Sequence, residues 1–200
     1  HSRFDHKVAV LAGDFLFAQA SWHLANLNNL DVVKLLSRVI MDLAEGEVKQ
    51  GLCKYDSKQT FETYLEKSYC KTGSLIANSA QAVGVLSGGS SDQLKSLYNY
   101  GKQLGLAFQV VDDVLDFTGN DKQLGKPAAN DLASGYLTAP ALYALEEDSS
   151  LSELIKREFS LDGDLDKALN LVRNSNAINR ARKLAEQFAR SSSESIEWLP

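Results

Sequence analysis

A chain of 200 residues, 44% of them hydrophobic, has enough apolar material to bury a core as one domain. Its 21 lysines and arginines against 26 aspartates and glutamates leave a net charge of −5, so no overall basic field exists to hold nucleic acid or an acidic membrane, although local positive pockets stay possible. The cysteines, Cys53 and Cys70, lack metal-ligand spacing and read as reduced thiols of an intracellular compartment.

Three prolines, and helical periodicity through most of the chain, predict an all-α fold. His1 to Asp5 carries no pattern. From Lys7 to about Leu27, the residues Val8, Leu11, Ala12, Phe15, Leu16, Ala18 and Trp22 cover most of a helix surface, which predicts a helix at the centre of a bundle. Its most apolar run, Val8 to Ala18, is about half of the ~20 residues needed to cross a bilayer, so no membrane span is expected. Asp14, the acid in that apolar middle, calls either for a buried partner or for a place lining a site. After Asn28-Asn29 a second helix is expected from about Asp31 to Gln50, with Val32, Leu35, Leu36, Val39, Ile40, Leu43 and Ala44 inward. Continuing that stripe reaches Glu47 and Gln50, as at the rim of a polar cavity or at a helix tip entering solvent.

Ser57 is the expected cap of a third helix running to about Leu86 and stopped by Gly88-Gly89. Within it, Lys71-Thr72-Gly73-Ser74 precedes the small residues Ala77, Ser79, Ala80, Ala82 and Gly84, which allow close helix approach or leave room for a ligand. Taken alone, a helical lysine such as Lys71 is usually a solvated surface group. Ser90-x-x-Gln93 reads as a capping box, and Gly101 and Gly105 should bring a partner helix close to the helix it opens.

The end of that helix is chemically unusual. From Leu104 to Phe117 it is apolar on nearly every face, yet Asp112, Asp113 and Asp116 place three carboxylates there with no lysine or arginine among them. Asp112 and Asp116, four apart, share a face, and both sit near the negative end of the helix dipole, which costs an anion roughly 0.3–1 kcal/mol. The positions at i±3 and i±4 hold Phe108, Gln109, Leu115, Gly119 and Asn120, none of them a cation. Neutralisation must come from outside the helix, and a hard divalent cation such as Mg²⁺ supplies it best. Magnesium takes one or two protein carboxylates and completes its shell with water and phosphate oxygens, which points to a phosphorylated partner. The helical stripe puts Asp112 on the inward face, aligned with Gln109.

A loop from Asn120 to Asn130 follows, and Lys126, between Gly125 and Pro127, is placed either to meet a phosphate or as an ordinary exposed lysine. Thr138 with Pro140 should start a short helix through Leu145. Amphipathic helices are expected near Leu151–Phe159, Leu165–Val172 and Ala177–Phe188, with Lys156, Arg157, Arg180, Arg182 and Lys183 as solvated faces of a scaffold. The run Ser191-Ser192-Ser193 reads as a surface turn or a frayed helix.

Five stretches together resemble the trans-isoprenyl diphosphate synthases of the polyprenyl branch: Leu11 to Leu16, Asp42 to Gln50, Lys71 to Leu75, Gly105 to Asp116 and Gly125 to Leu132. The resemblance implies a bundle of antiparallel helices around a central cavity, made by residues 1–200 as one helical domain incomplete at both ends and dimeric with itself or a partner chain. It implies head-to-tail condensation of isopentenyl diphosphate with an allylic diphosphate, with Asp112, Asp113 and Asp116 holding Mg²⁺. Lys71 and Lys126 would contact the diphosphate, and Thr72 and Gln109 would lie beside the breaking carbon–oxygen bond. Neither nucleic acid nor an integral membrane location is expected, and plastid or mitochondrion is the expected compartment. Three departures accompany the resemblance. The first acidic motif is absent before His1, the basic tail is absent after Pro200, and Tyr136 stands where many members carry lysine. The 200 residues alone are therefore expected to bind metal weakly and turn over poorly. A non-catalytic subunit of a heteromeric synthase and a class I terpene cyclase are the alternative readings.

Overall fold

The computed structural model describes residues 5–119 and 129–199, and among them the regular structure is all helix. The long helix α5 (Ser91–Thr118) is the axis. Its start is the expected capping box, in which the Ser90 hydroxyl accepts from the Gln93 amide and the Gln93 side chain accepts from the Ser90 amide at 2.8 Å. Along one side of α5 runs α4 (Ser74–Leu86), and the two backbones touch where the sequence supplies glycine. A Cβ at Gly101 would stand 2.5 Å from the Ile76 carbonyl oxygen, and one at Gly105 would stand 2.5 Å from the Gly73 Cα.

Helix α3 (Phe61–Ser68) joins α4 through a π turn, Tyr69–Gly73. Thr60 caps α3, its hydroxyl accepting from the Thr63 amide at 3.1 Å, so Ser57 is not the cap. The delay has a tertiary cause: Tyr55, at φ +53°, donates its amide to the Gly135 carbonyl at 2.8 Å and holds the chain in turns until Thr60. At the far end, Gly88 at φ +71° stops α4 as expected.

Helix α2 (Leu30–Leu52) packs on α4 and the π turn with a face rotated from the predicted stripe. Val32, Asp42 and Gly46 are buried, Leu35, Leu36 and Val39 half-buried, and Ile40, Leu43, Ala44 and Glu47 exposed. Two contacts set the rotation. Asp42 accepts from the Ser74 hydroxyl and from Arg38 Nε at 2.7 Å, and Gly46 lies so close to the π turn that a Cβ there would meet the Cys70 Cβ at 2.9 Å. Helix α1 (His6–Asn26) corrects the sequence reading more sharply, because none of its residues is buried and its main neighbour among the described helices is α2. Phe15 and Trp22 are each 64% exposed, and Asp14, also exposed, needs no buried partner. The whole of α1, unlike the Val8–Ala18 run alone, is long and apolar enough to cross a membrane by length and composition.

After residue 129 come α6 (Asn130–Ala133), α7 (Ala139–Glu147), α8 (Ser150–Lys156), α9 (Asp164–Asn174) and α10 (Ala177–Glu194). Helix α10 lies along α5 opposite α4, its Ala177, Ala181 and Ala185 facing a core that includes Phe117, Leu132, Leu151, Ile155 and Val172. This is the scaffold expected of the last third, with two corrections. Arg157 grips the buried Asp164 at 2.6 Å, and Arg180 lies 4.1 Å from the Tyr143 ring centroid while pairing with Glu146 and Glu147, so neither is a merely solvated charge. The serine run is helical, and Ser192, 2% exposed, donates to the Tyr100 carbonyl at 2.9 Å.

Candidate active site

Lys71 and Thr72 lie on the π turn, where the Ser74 amide reaches back five residues to the Tyr69 carbonyl. An extra residue in one turn bulges the backbone and re-aims its side chains, a device common at functional sites. Because Gly73 and Gly105 let α5 approach this bulge, the Thr72 hydroxyl donates to the Gln109 Oε1 at 2.7 Å. The other end of that amide donates to the Asp113 Oδ1 at 2.9 Å, and the Tyr64 hydroxyl donates to the Asp113 Oδ2 at 2.6 Å. The result is one unbroken chain, Thr72 to Gln109 to Asp113 to Tyr64. It fixes which way the Gln109 amide points and commits the Thr72 proton, leaving the lone pairs of the Thr72 oxygen for an occupant of the site.

Asp113 is 2% exposed. Burial pushes its carboxyl up to about 7, against the downward pull of the hydrogen bonds from Tyr64 and Gln109. Burial, then the neighbouring Asp113, drives the Tyr64 phenol well above its ordinary range.

The other two acids diverge from it. Asp112 is exposed, on the side of α5 that carries Phe108, Val111 and Leu115, also exposed. The predicted inward face holds as far as Gly101 and Gly105, both buried, and then slips: Leu106, Val110, Asp113, Val114 and Phe117 point inward instead of Asp112, since this end of α5 is apolar nearly all round and its period alone could not choose a face. Asp116, 2% exposed, binds the returning chain, its carbonyl accepting from the Ala129 amide at 2.7 Å and its Oδ2 from the Asp131 amide at 3.2 Å. Among the described residues no group of three or more histidine, cysteine, aspartate or glutamate side chains gathers as a metal centre.

A cavity of about 60 Å³ opens beside the Thr72–Tyr64 chain, lined among others by Gln50, Lys67, Lys71, Gln109, Asp113 and Thr138. Of the two readings left open for the end of α2, Gln50 takes the cavity one and accepts from the Lys71 Nζ at 3.3 Å, while Glu47 is exposed. Tyr136 lines the same space, with the Lys54 ammonium 5.1 Å from its ring centroid. Lys126 lies outside the described residues. Sequence reasoning passed over Tyr64, Lys67 and Gln59. The repeat of polar groups at Tyr64, Lys67, Ser68 and Lys71 along one face was the available signal. Chemically, the site sets a lysine ammonium beside a hydroxyl and an amide of fixed orientation, in a setting closed off below by the core. That combination suits an anionic leaving group next to a developing cation.

Comparison with known proteins bears on the same residues. The chain is 58% identical to a prenyl transferase of Synechocystis sp. over 199 residues, which is 100% of this chain and 62% of that protein. It is 50% identical to a chloroplastic solanesyl diphosphate synthase 2 of Arabidopsis thaliana, covering 100% of this chain and 48% of the relative. Among solved structures, a polyprenyl synthase from Caulobacter crescentus, complexed with calcium and isoprenyl diphosphate, superposes with a TM-score of 0.87 at 33% identity, over 97% of this chain and 61% of that one. The chain therefore spans about half to three-fifths of the length of these proteins. With the polyprenyl synthetase profile matching residues 1–172 and the all-helical fold in agreement with it, the chain belongs to the polyprenyl synthetase family.

Proposed function

We propose that this chain carries the catalytic centre of a trans-prenyltransferase that joins isopentenyl diphosphate head-to-tail to an allylic diphosphate, giving a linear polyprenyl diphosphate. The observation that carries the reading is the Thr72–Gln109–Asp113–Tyr64 hydrogen-bond chain with Lys71 at its side. In this reaction the allylic carbon–oxygen bond breaks and its electrons leave with the diphosphate. The isopentenyl double bond then attacks the allylic cation, and loss of a proton restores neutrality. Lys71 holds the diphosphate, with Lys126 as the second expected contact. The Thr72 hydroxyl and the Gln109 amide face the cation as fixed dipoles, with no reorganisation left to do at the moment of ionisation. Tyr64 and Asp113 act through Gln109, keeping it in that orientation.

The acidic motif suits Mg²⁺ bound jointly with the diphosphate, not enclosed by protein alone. Asp112 offers an open carboxylate, with Asp113 and Asp116 in the same motif, and Mg²⁺ takes one or two protein carboxylates and completes its shell with substrate and water oxygens. When bound, the metal neutralises charge on the departing diphosphate. The calcium in the Caulobacter crescentus polyprenyl synthase supports a divalent site in this fold. A homodimer is the assembly we infer, because α1 carries apolar residues on all sides that the described residues of this chain leave exposed. The chloroplastic Arabidopsis relative supports a plastid as the compartment.

Incubating the full encoded protein with Mg²⁺, labelled isopentenyl diphosphate and allylic primers tests the reading. Elongated prenyl diphosphates support it. Activity appearing only with an added partner chain would replace it with a non-catalytic subunit, and cyclic hydrocarbons would replace it with a cyclase.

A further inference from the structure

Lys67 is 9% exposed, yet the partner its ammonium reaches is neutral. Its Nζ donates to the Gln59 Oε1 at 2.6 Å, and Gln59 is itself pinned, its Nε2 donating to the Leu137 carbonyl at 2.9 Å. Among the described residues no carboxylate forms an ion pair with Lys67. A desolvated ammonium with one of three donors satisfied by an amide is costly, and burial accordingly draws its pKa below the ordinary lysine value.

The surroundings of Lys67 show what would offset that cost. It lines the cavity that Lys71 also lines, four residues on, so two ammonium groups border one small space. Thr138 borders it too, at the N-cap position of α7, and its buried hydroxyl oxygen caps nothing and has no hydrogen-bond partner among the described residues. The positive end of the α7 dipole begins there. Two acids, Asp113 and Asp131, share the lining. Both Asp113 oxygens already accept hydrogen bonds, from Gln109 and Tyr64, and neither forms an ion pair with Lys67, although the charges of Asp113 and Asp56 draw its pKa part of the way back. What the two ammonium groups and the Thr138 hydroxyl would take together is an anion with several acceptor oxygens.

We propose that Lys67 is a second diphosphate-holding residue, gripping from the deep wall of the cavity the same group that Lys71 meets at its rim, with Gln59 as the positioning residue that aims it and the Thr138 hydroxyl as an added donor. The identity of the anion rests on the prenyltransferase reading. The grip itself is a statement about this chain's own side chains.

Calorimetry of inorganic pyrophosphate in Mg²⁺ buffer, on the full encoded protein, tests it. The variants are Lys67→Met, Lys67→Gln, which keeps a donor for Gln59 without the charge, Lys67→Arg, and Lys71→Met. Loss of one charge-assisted contact should weaken pyrophosphate binding about tenfold in Lys67→Met and Lys67→Gln, with a flatter salt dependence, and Lys67→Arg should recover part of it. KM for the allylic diphosphate should rise by about the same factor while kcat changes little. A Lys67 that merely props up the fold would lower the melting temperature and leave pyrophosphate affinity within about twofold of wild type, and that result overturns the proposal. Should Lys67→Met fail to fold, Lys67→Gln decides by the same criterion. A wild-type protein that binds no pyrophosphate also overturns the grip; if Lys67→Gln loses affinity as expected but the wild-type protein elongates no allylic primer, the grip stands and it is the prenyltransferase reading that falls.

Discussion

Gln109 matters because both ends of its amide are committed, the oxygen to Thr72 and the nitrogen to Asp113. Gln109→Leu keeps the bulk and removes both bonds, so kcat should fall about 10²–10³-fold, the usual cost of one oriented dipole, with pyrophosphate affinity nearly unchanged; single-turnover kinetics beside calorimetry checks the split. Asp113 carries a pH dependence whose direction is fixed by its raised pKa. The folded chain holds this proton up to about pH 7, whereas an unfolded carboxyl releases it near 3.8, so between those values unfolding releases a proton and stability declines as pH rises. In metal-free buffer Asp113→Asn should flatten that decline, as read by urea denaturation at pH 5 and pH 7; an equally steep slope in the variant would reject the assignment. The acids were legible in the sequence because unpaired charges in an apolar helix demand a reason. Tyr64 was harder to read, for it meets Asp113 across 49 residues of chain, and its one local trace is its place in the polar row with Lys67, Ser68 and Lys71.

At the scale of elements, the site depends on how closely α5 approaches the π turn. A methyl group at Gly105 would sit 2.5 Å from the Gly73 Cα, backbone that has no rotamer with which to yield. Gly105→Ala should therefore push α5 off the turn, cost about 1–3 kcal/mol in stability and break the Thr72–Gln109 bond, lowering turnover at least in proportion to Gln109→Leu. Gly13→Ala, on the face of α1 opposite Leu11 and Phe15 with open space around it, is the control that should leave turnover unchanged and raise the melting temperature slightly, alanine being the better helix former. The capping box was readable because it acts through its neighbours in sequence, and the glycine pair because Gly101 and Gly105, four apart, fall on one face and invite a close partner. The faces of α2 and α5 were not, since both helices have apolar residues on more than one side, and the choice was made by tertiary contacts: Asp42 with Ser74, Gly46 with Cys70, Gly105 with Gly73. Asp42→Ala tests the first of these. Orphaning the buried Ser74 hydroxyl, to which Asn78 also bonds, should cost about 1–3 kcal/mol in chemical denaturation.

Across the whole molecule the burial is lopsided. The core is concentrated between α5 and the helices after residue 129, where alanines of α10 and the short helices α7 and α8 close on Phe117 and Ile155, while α1 and the outer face of α2 keep Phe15, Trp22, Met41 and Val48 in the open. From its sequence α1 was read as central because a helix apolar all round must be covered; the physics of that reading holds, and only the source of the cover differs, since the described helices of this chain do not supply it. A second copy laid against α1 would remove several large side chains from water, each worth roughly 1.5–3 kcal/mol when fully buried, which is ample to hold two chains together. Sedimentation velocity on the full encoded protein at micromolar concentration should then report a dimer. Replacing two outward residues together, Leu11→Glu and Phe15→Glu, places charges in the contact and should give a monomer whose circular dichroism retains its helix content. A wild-type protein that sediments as a monomer, or a double variant that stays dimeric, would show that α1 is covered by something other than its own copy.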